Sequence, residues 1–144
     1  MRKLIGDALR AGHEAVAAHA RRIETPGATA LLCLGGSASN PERLIKALDA
    51  RAVELGGWRA LLIVDVRGAP DFVAPGRLIE CLPVTDHLRR ATDCDAGSAI
   101  HYRRRRLTMV LAKWRVRECA PIGEEAEALL APLSELTQIR RLPV

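Results

Sequence analysis

The segment between Leu34 and Glu42 carries the clearest chemical signal in the chain. Gly35-Gly36-Ser37-Ala38-Ser39-Asn40-Pro41-Glu42 follows a short apolar run and opens a stretch of helical periodicity. Glycines let backbone approach a ligand, and a helix start offers N–H groups with a partial positive charge. Ser37, Ser39 and Asn40 add side-chain donors. Such a loop suits a phosphate-bearing, carboxylate or sugar ligand. It meets neither the G-x-G-x-x-G nor the G-x-x-x-x-G-K-[ST] fingerprint, and its plain alternative is a strand-to-helix turn with a good cap. Asp65 ends the second apolar run, where an acid can meet a ribose hydroxyl. The more ordinary reading of Asp65 is a solvated strand-end acid.

A second signal lies between His101 and Arg117, where seven basic side chains occur with no acid. The chain as a whole has 22 basic and 17 acidic residues and a net charge of +5, so outside this window acids outnumber bases. The charge therefore belongs to one helix. On a helical wheel Arg103 and Arg104 flank the core face and Arg105 points outward. Tyr102, Arg106, Met109 and Lys113 make a stripe beside that face. Tyr and Met among cations suit a partner or anionic-ligand surface, and the alternative is a solvated face with arginine stems over apolar edges.

Other chemistry is thin. His13, His19, His87 and His101 are scattered, with no nucleophile–base pairing evident in the sequence. Cys33, Cys81, Cys94 and Cys119 match no zinc spacing, and Cys33 and Cys81 sit in apolar runs as small hydrophobes. Glu124, Glu125 and Glu127 read as first-turn acids of a helix. No metal, cofactor or catalytic residue is implied.

The elements that must position these residues form an alternating pattern. Residues 4–23 read as an amphipathic helix, ended by Thr25-Pro26-Gly27. Ala28–Leu34 fits a strand buried on both faces, and Asn40 caps a helix running to Leu55 before Gly56-Gly57. Strands follow at Arg59–Val66 and Arg77–Leu82, with Arg67-Gly68-Ala69-Pro70 as a loop. The unit from 28 to 83 is a βαβ core with parallel pairing. The second half, 85–144, is more helical. It has a short turn or helix at Thr85–Arg90 and a loop at residues 93–97. A helix capped by Ser98 runs to Arg115, with Leu107, Val110, Leu111 and Trp114 on its core face. A strand at Val116–Ile122 is weakened by Arg117 and Glu118, and a last helix at Glu124–Leu136 is interrupted at Pro132. The fold class is α/β, a single three-layer Rossmann-like domain spanning 1–144, with a mostly parallel sheet of four or five strands.

Within residues 77–136 the chain resembles the N-terminal Rossmann-like domain of GT-B glycosyltransferases related to family 28, the MurG-like enzymes. The resemblance rests on Leu82-Pro83, Tyr102-Arg103-Arg104-Arg105-Arg106-Leu107, Glu118-Cys119-Ala120-Pro121-Ile122-Gly123 and Ala131-Pro132-Leu133. The chain departs from that pattern in several places. A Pro-Asp step becomes Arg115-Val116-Arg117, a Phe becomes Ile122, an Arg pair becomes Glu124-Glu125, and the first loop begins Gly35-Gly36-Ser37 instead of Gly-His. Such enzymes react their substrates between two domains, and the second binds the nucleotide-sugar. At 144 residues only one domain is expected here. The resemblance therefore implies a domain or accessory subunit that is not catalytic alone, with a second chain completing a split transferase.

Composition bounds the remaining classes. One Phe, one Tyr and two Trp argue against readers that stack single-stranded nucleic acid. No apolar run approaches the length of a membrane span and no secretory leader is evident, so the expected location is cytoplasmic. Two readings remain: a glycosyltransferase-like domain with an anionic ligand at the first strand–helix loop, or a non-catalytic module whose basic helix docks on an acidic protein, RNA or a membrane surface.

Overall fold

Alternation within two apolar runs builds the centre of the molecule. In the computed structural model, which describes residues 27–36 and 38–143, Ala28–Cys33 forms β1 and Arg59–Asp65 forms β2. Successive side chains leave a strand on opposite faces. Ala30, Leu32, Leu61 and Ile63 therefore enter one core, while Leu31, Cys33, Leu62 and Val64 enter the other. A strand apolar at every position is one covered on both sides.

The helices supply those covers. Pro41–Glu54 (α1) places Leu44 and Leu48 against the Leu31 face, joined by Phe72 of the short helix Ala69–Phe72 (α2). The opposite face receives Leu107, Val110 and Leu111 from Ala96–Lys113 (α4) and Ala126, Leu129 and Leu130 from Glu124–Leu130 (α5). Leu78–Leu82 is β3, Thr85–Thr92 is α3, Val116–Ile122 is β4 and Gln138–Ile139 is β5. The sheet has five strands in the order β3-β2-β1-β4-β5, and every pairing is parallel. The chain builds outward from β1 through β2 to β3, then crosses back to begin the other side at β4. Right-handed crossovers running in opposite directions across a sheet lie on opposite faces, which separates α1 from α4 and α5. The fold is the expected three-layer α/β arrangement of Rossmann-like type.

Several local expectations change. The helix expected at 4–23 and Ser37 lie outside the described residues. The segment after Arg67 is not all loop, because Ala69–Phe72 turns helical and buries Phe72. The long helix begins at Ala96, two residues before Ser98, because the Asp95 carboxylate accepts the Ser98 N–H at 2.7 Å and acts as the cap. The last helix stops at Leu130 and tightens into a 3₁₀ turn over Ala131–Leu133 at Pro132. Cys81 lies exposed on the edge strand, whereas Cys33 is buried. Cys119 is buried too, which pushes its thiol pKa up to about 12.

The charges that weakened the reading of β4 are accommodated on it. Glu118 is buried beside Thr29 of β1, whose hydroxyl donates to it at 3.1 Å. Arg51 of α1 donates to both its oxygens, at 2.7 and 3.1 Å. That fork holds the Glu118 carboxyl below its usual pKa against the opposing effect of burial. Arg117 points away and lies 5.3 Å over the Trp58 ring.

Leu107→Ala, at a fully buried position, should cost about 3 kcal/mol through lost transfer energy and a residual cavity. Met109→Ala on the same helix, at an exposed position, should stay within about 0.5 kcal/mol. Urea midpoints of the two variants check the assignment of the α4 faces.

Candidate functional site

The carboxyl ends of β1, β2 and β4 converge where strand order reverses, between β1 and β4. In open parallel sheets this is where a crevice forms and ligands bind. The loop after β1 supplies Gly35 and Gly36, with φ of 75° and 68°, a region that suits residues without a Cβ. The loop after β2 supplies Arg67 and Gly68, and the turn after β4 supplies Gly123 and then Glu125.

Asp65 anchors this convergence. Its side chain is fully buried, not solvated as the ordinary reading of a strand-end acid expects. Oδ2 accepts the Gly35 N–H at 3.0 Å and Oδ1 accepts the Arg67 N–H at 3.0 Å. The Arg67 guanidinium donates to Oδ2 through Nε, at 3.1 Å, and through Nη2. Burial alone would raise the Asp65 pKa. The Arg67 guanidinium and the two backbone N–H groups outweigh burial and hold it below the usual carboxylate value.

Arg67 extends the network to α5. Its Nη2 donates to both Glu125 oxygens at 3.1 Å. Glu125 also receives Arg103 Nη1 at 2.8 Å, and the same nitrogen reaches Thr85 Oγ1 at 3.1 Å. Arg103 Nη2 lies 4.0 Å from Asp65 Oδ2. Arg103 is only 3% exposed, and its Nε and Nη2 find no hydrogen-bond acceptor among the described residues. Two guanidinium groups and two carboxylates thus meet at the crest of the sheet.

The residues expected to bind a ligand divide here. Gly35, Gly36 and Asp65 share the crest. Asn40 Oδ1 accepts the Arg43 N–H at 3.1 Å, and Pro41 has no N–H, so the start of α1 offers fewer free backbone donors than expected. Ser39 is exposed beside it. Sequence reasoning missed Arg67, Thr85, Arg103 and Glu125. It placed Arg103 at the flank of the core face, whereas Ala99, Arg103, Leu107 and Leu111 recur every four residues and are all buried. A charge on the buried stripe of a helix was the readable signal. Glu125, read only as a first-turn acid, bridges both arginines.

The stripe on α4 is a separate surface. Tyr102 and Met109 are 48% and 55% exposed, and Arg105 points to solvent. Arg106 is half-buried, and Lys113 is paired with Glu80 Oε1 at 2.6 Å, an oxygen that also accepts the Trp114 indole N–H. His87 and His101 are exposed, and His13 and His19 lie outside the described residues. Among the described residues no cluster of His, Cys, Asp or Glu is placed to hold a metal ion, and no helix is long and apolar enough to cross a membrane. Comparison with protein-family models, with curated proteins and with solved structures finds no match.

Asp65 has a lowered folded-state pKa, so its stabilising contribution is present above the unfolded value of about 3.9 and is lost as pH falls through the folded value. Asp65→Asn removes that contribution. Its urea midpoint should therefore fall less between pH 6 and pH 3 than that of the wild type. Glu118→Gln should behave the same way for the second lowered carboxylate. Parallel losses in all three proteins would refute the assignment.

Proposed function

We propose that the crest between β1 and β4 binds an anionic ligand, phosphate-bearing or an acidic sugar. In this reading the chain acts as a glycosyltransferase-like N-terminal domain or accessory subunit. The observation that supports it best is Arg103. Withdrawing a guanidinium from water is costly, and a role in packing alone is served better by an apolar side chain. Here the group is buried at the switch point, and two of its donor nitrogens are unmatched among the described residues. Arg67 stands beside it at the surface, and Gly35 and Gly36 leave the approach free of Cβ atoms. The likeness of residues 77–136 to GT-B N-terminal domains supplies the reaction class. Within it, this chain binds and orients one substrate, and the facing wall of the cleft comes from another domain or chain.

A second reading rests on α4. Its exposed Tyr102 and Met109 flank the outward Arg105 and the half-buried Arg106, and Tyr102 borders a pocket of about 320 Å³ with Leu88, Cys94 and Ala99. This face suits docking on an acidic partner.

Isothermal titration with nucleotide-sugars and polyprenyl phosphates tests the first reading. Binding is expected, and Arg67→Ala should weaken it about tenfold or more, the worth of a charge-assisted hydrogen bond. Gly36→Val should weaken it too. Silence toward every such ligand would reject the reading. For the second, Arg105→Glu with Arg106→Glu should abolish salt-sensitive co-purification of a partner while ligand titrations stay unchanged. An unaltered set of co-purifying proteins would count against docking through α4.

A further inference from the structure

The ligand class can be narrowed from the position of Glu125, an inference that rests on the crest being a binding site. We infer that the Glu125 carboxylate occupies the anion position of that site, and that a phosphate or carboxylate enters by displacing it from Arg67 and Arg103. Glu125 Oε1 lies 2.8 Å from Arg103 Nη1 and 3.1 Å from Arg67 Nη2. Its Oε2 lies 3.0 Å from the point where a Cβ on Gly35 would stand. A carboxylate is therefore held between two guanidinium groups and pressed against the glycine loop, where the oxyanion of a ligand would be received.

The two carboxylates of the site differ in what holds them. Asp65 is fully buried and fixed by two backbone N–H groups as well as by Arg67. Glu125 is 41% exposed and, among the described residues, is gripped only through the Arg67 and Arg103 side chains. Glu125 can swing into solvent by rotating its own side chain, and Asp65 cannot leave without breaking the loop. Charge decides the rest. Two arginines are balanced by two carboxylates. A third anion added to that neutral set meets no net attraction, whereas one that takes the place of Glu125 faces two guanidinium groups balanced by one remaining carboxylate. A neutral sugar hydroxyl cannot replace a carboxylate between two guanidinium groups, so the group that enters is an oxyanion.

Titration of inorganic pyrophosphate and of a neutral methyl glycoside into wild type, Glu125→Gln and Glu125→Ala tests the exchange. Both variants should bind pyrophosphate about tenfold more tightly than wild type, with no gain for the glycoside. Adding Arg67→Ala to Glu125→Ala should erase the gain. Glu125→Gln keeps the side-chain shape, so it reads the charge even if the shorter variant is destabilised. Pyrophosphate binding to wild type that neither variant strengthens would overturn the exchange and leave the binding site standing. If wild type and variants all ignore both pyrophosphate and nucleotide-sugars, the binding site itself is refuted, and the exchange with it.

Discussion

The buried carboxylate of Asp65 is the contact on which the crest of this protein depends. A carboxylate withdrawn from water loses much hydration energy and persists only if donors replace it. Here the donors come from different loops. The Gly35 N–H belongs to the turn after β1, and the Arg67 N–H and guanidinium belong to the turn after β2. One side chain at the end of β2 therefore sets the path of two loops. The left-handed Gly35 backbone follows from that convergence. Arg67 then passes the constraint to Glu125, and Glu125 passes it to Arg103. Four separate segments are tied at one point.

A second polar knot closes the opposite part of the sheet. Glu118 links β4 to Thr29 of β1 and Arg51 of α1, with Arg140 at 3.6 Å from the chain's end. Between the two knots the interior is apolar on both faces of β1 and β2. Apolar packing is tolerant of sliding, whereas a buried charge has few positions in which it is satisfied. Thr29 and Glu118 stand opposite each other in the β1–β4 register, just after an irregularity at Ala28. Asp65 does the equivalent for the loops. The apolar core supplies the drive to fold, and the knots restrict which register and which loop paths satisfy every group.

The elements were legible where local chemistry and burial agree. Ala28–Leu34 and Arg59–Val66 announce buried strands because both faces are covered, and Asn40-Pro41-Glu42 announces a helix start because three preferences coincide there. Legibility fails where a residue takes its meaning from a distant partner. Arg51 and Glu118 are 67 positions apart, and Arg67 and Glu125 are 58 apart. No periodicity connects such pairs. Gln138–Ile139 could not be read as a strand, since two exposed residues carry no pattern and join the sheet only because β4 offers an open edge. The glycine loop and Asp65 were visible as a possible site, but the arginines that define its charge were not. One hides beside Asp65 and the other within a run of four identical residues.

That run shows how little a charge total says about charge placement. Arg103, Arg104, Arg105 and Arg106 look alike in sequence, yet successive helix positions turn by about 100° and meet four different surroundings. Arg103 enters the crest, Arg104 lies half-buried with Nε 3.5 Å from the Leu129 carbonyl, Arg105 is solvated and Arg106 is half-buried. The crest position suits arginine over lysine. Its planar fork reaches Thr85 and Glu125 from one nitrogen while presenting a second toward Asp65, whereas an ammonium is a single, more strongly hydrated point of charge. Of the basic window, then, one arginine is spent inside the fold and Lys113 is tied to Glu80. The outward charge that remains for any partner lies on part of one helix face and on Arg115 and Arg117 beyond its end, while the inward charge lies where the strands change direction.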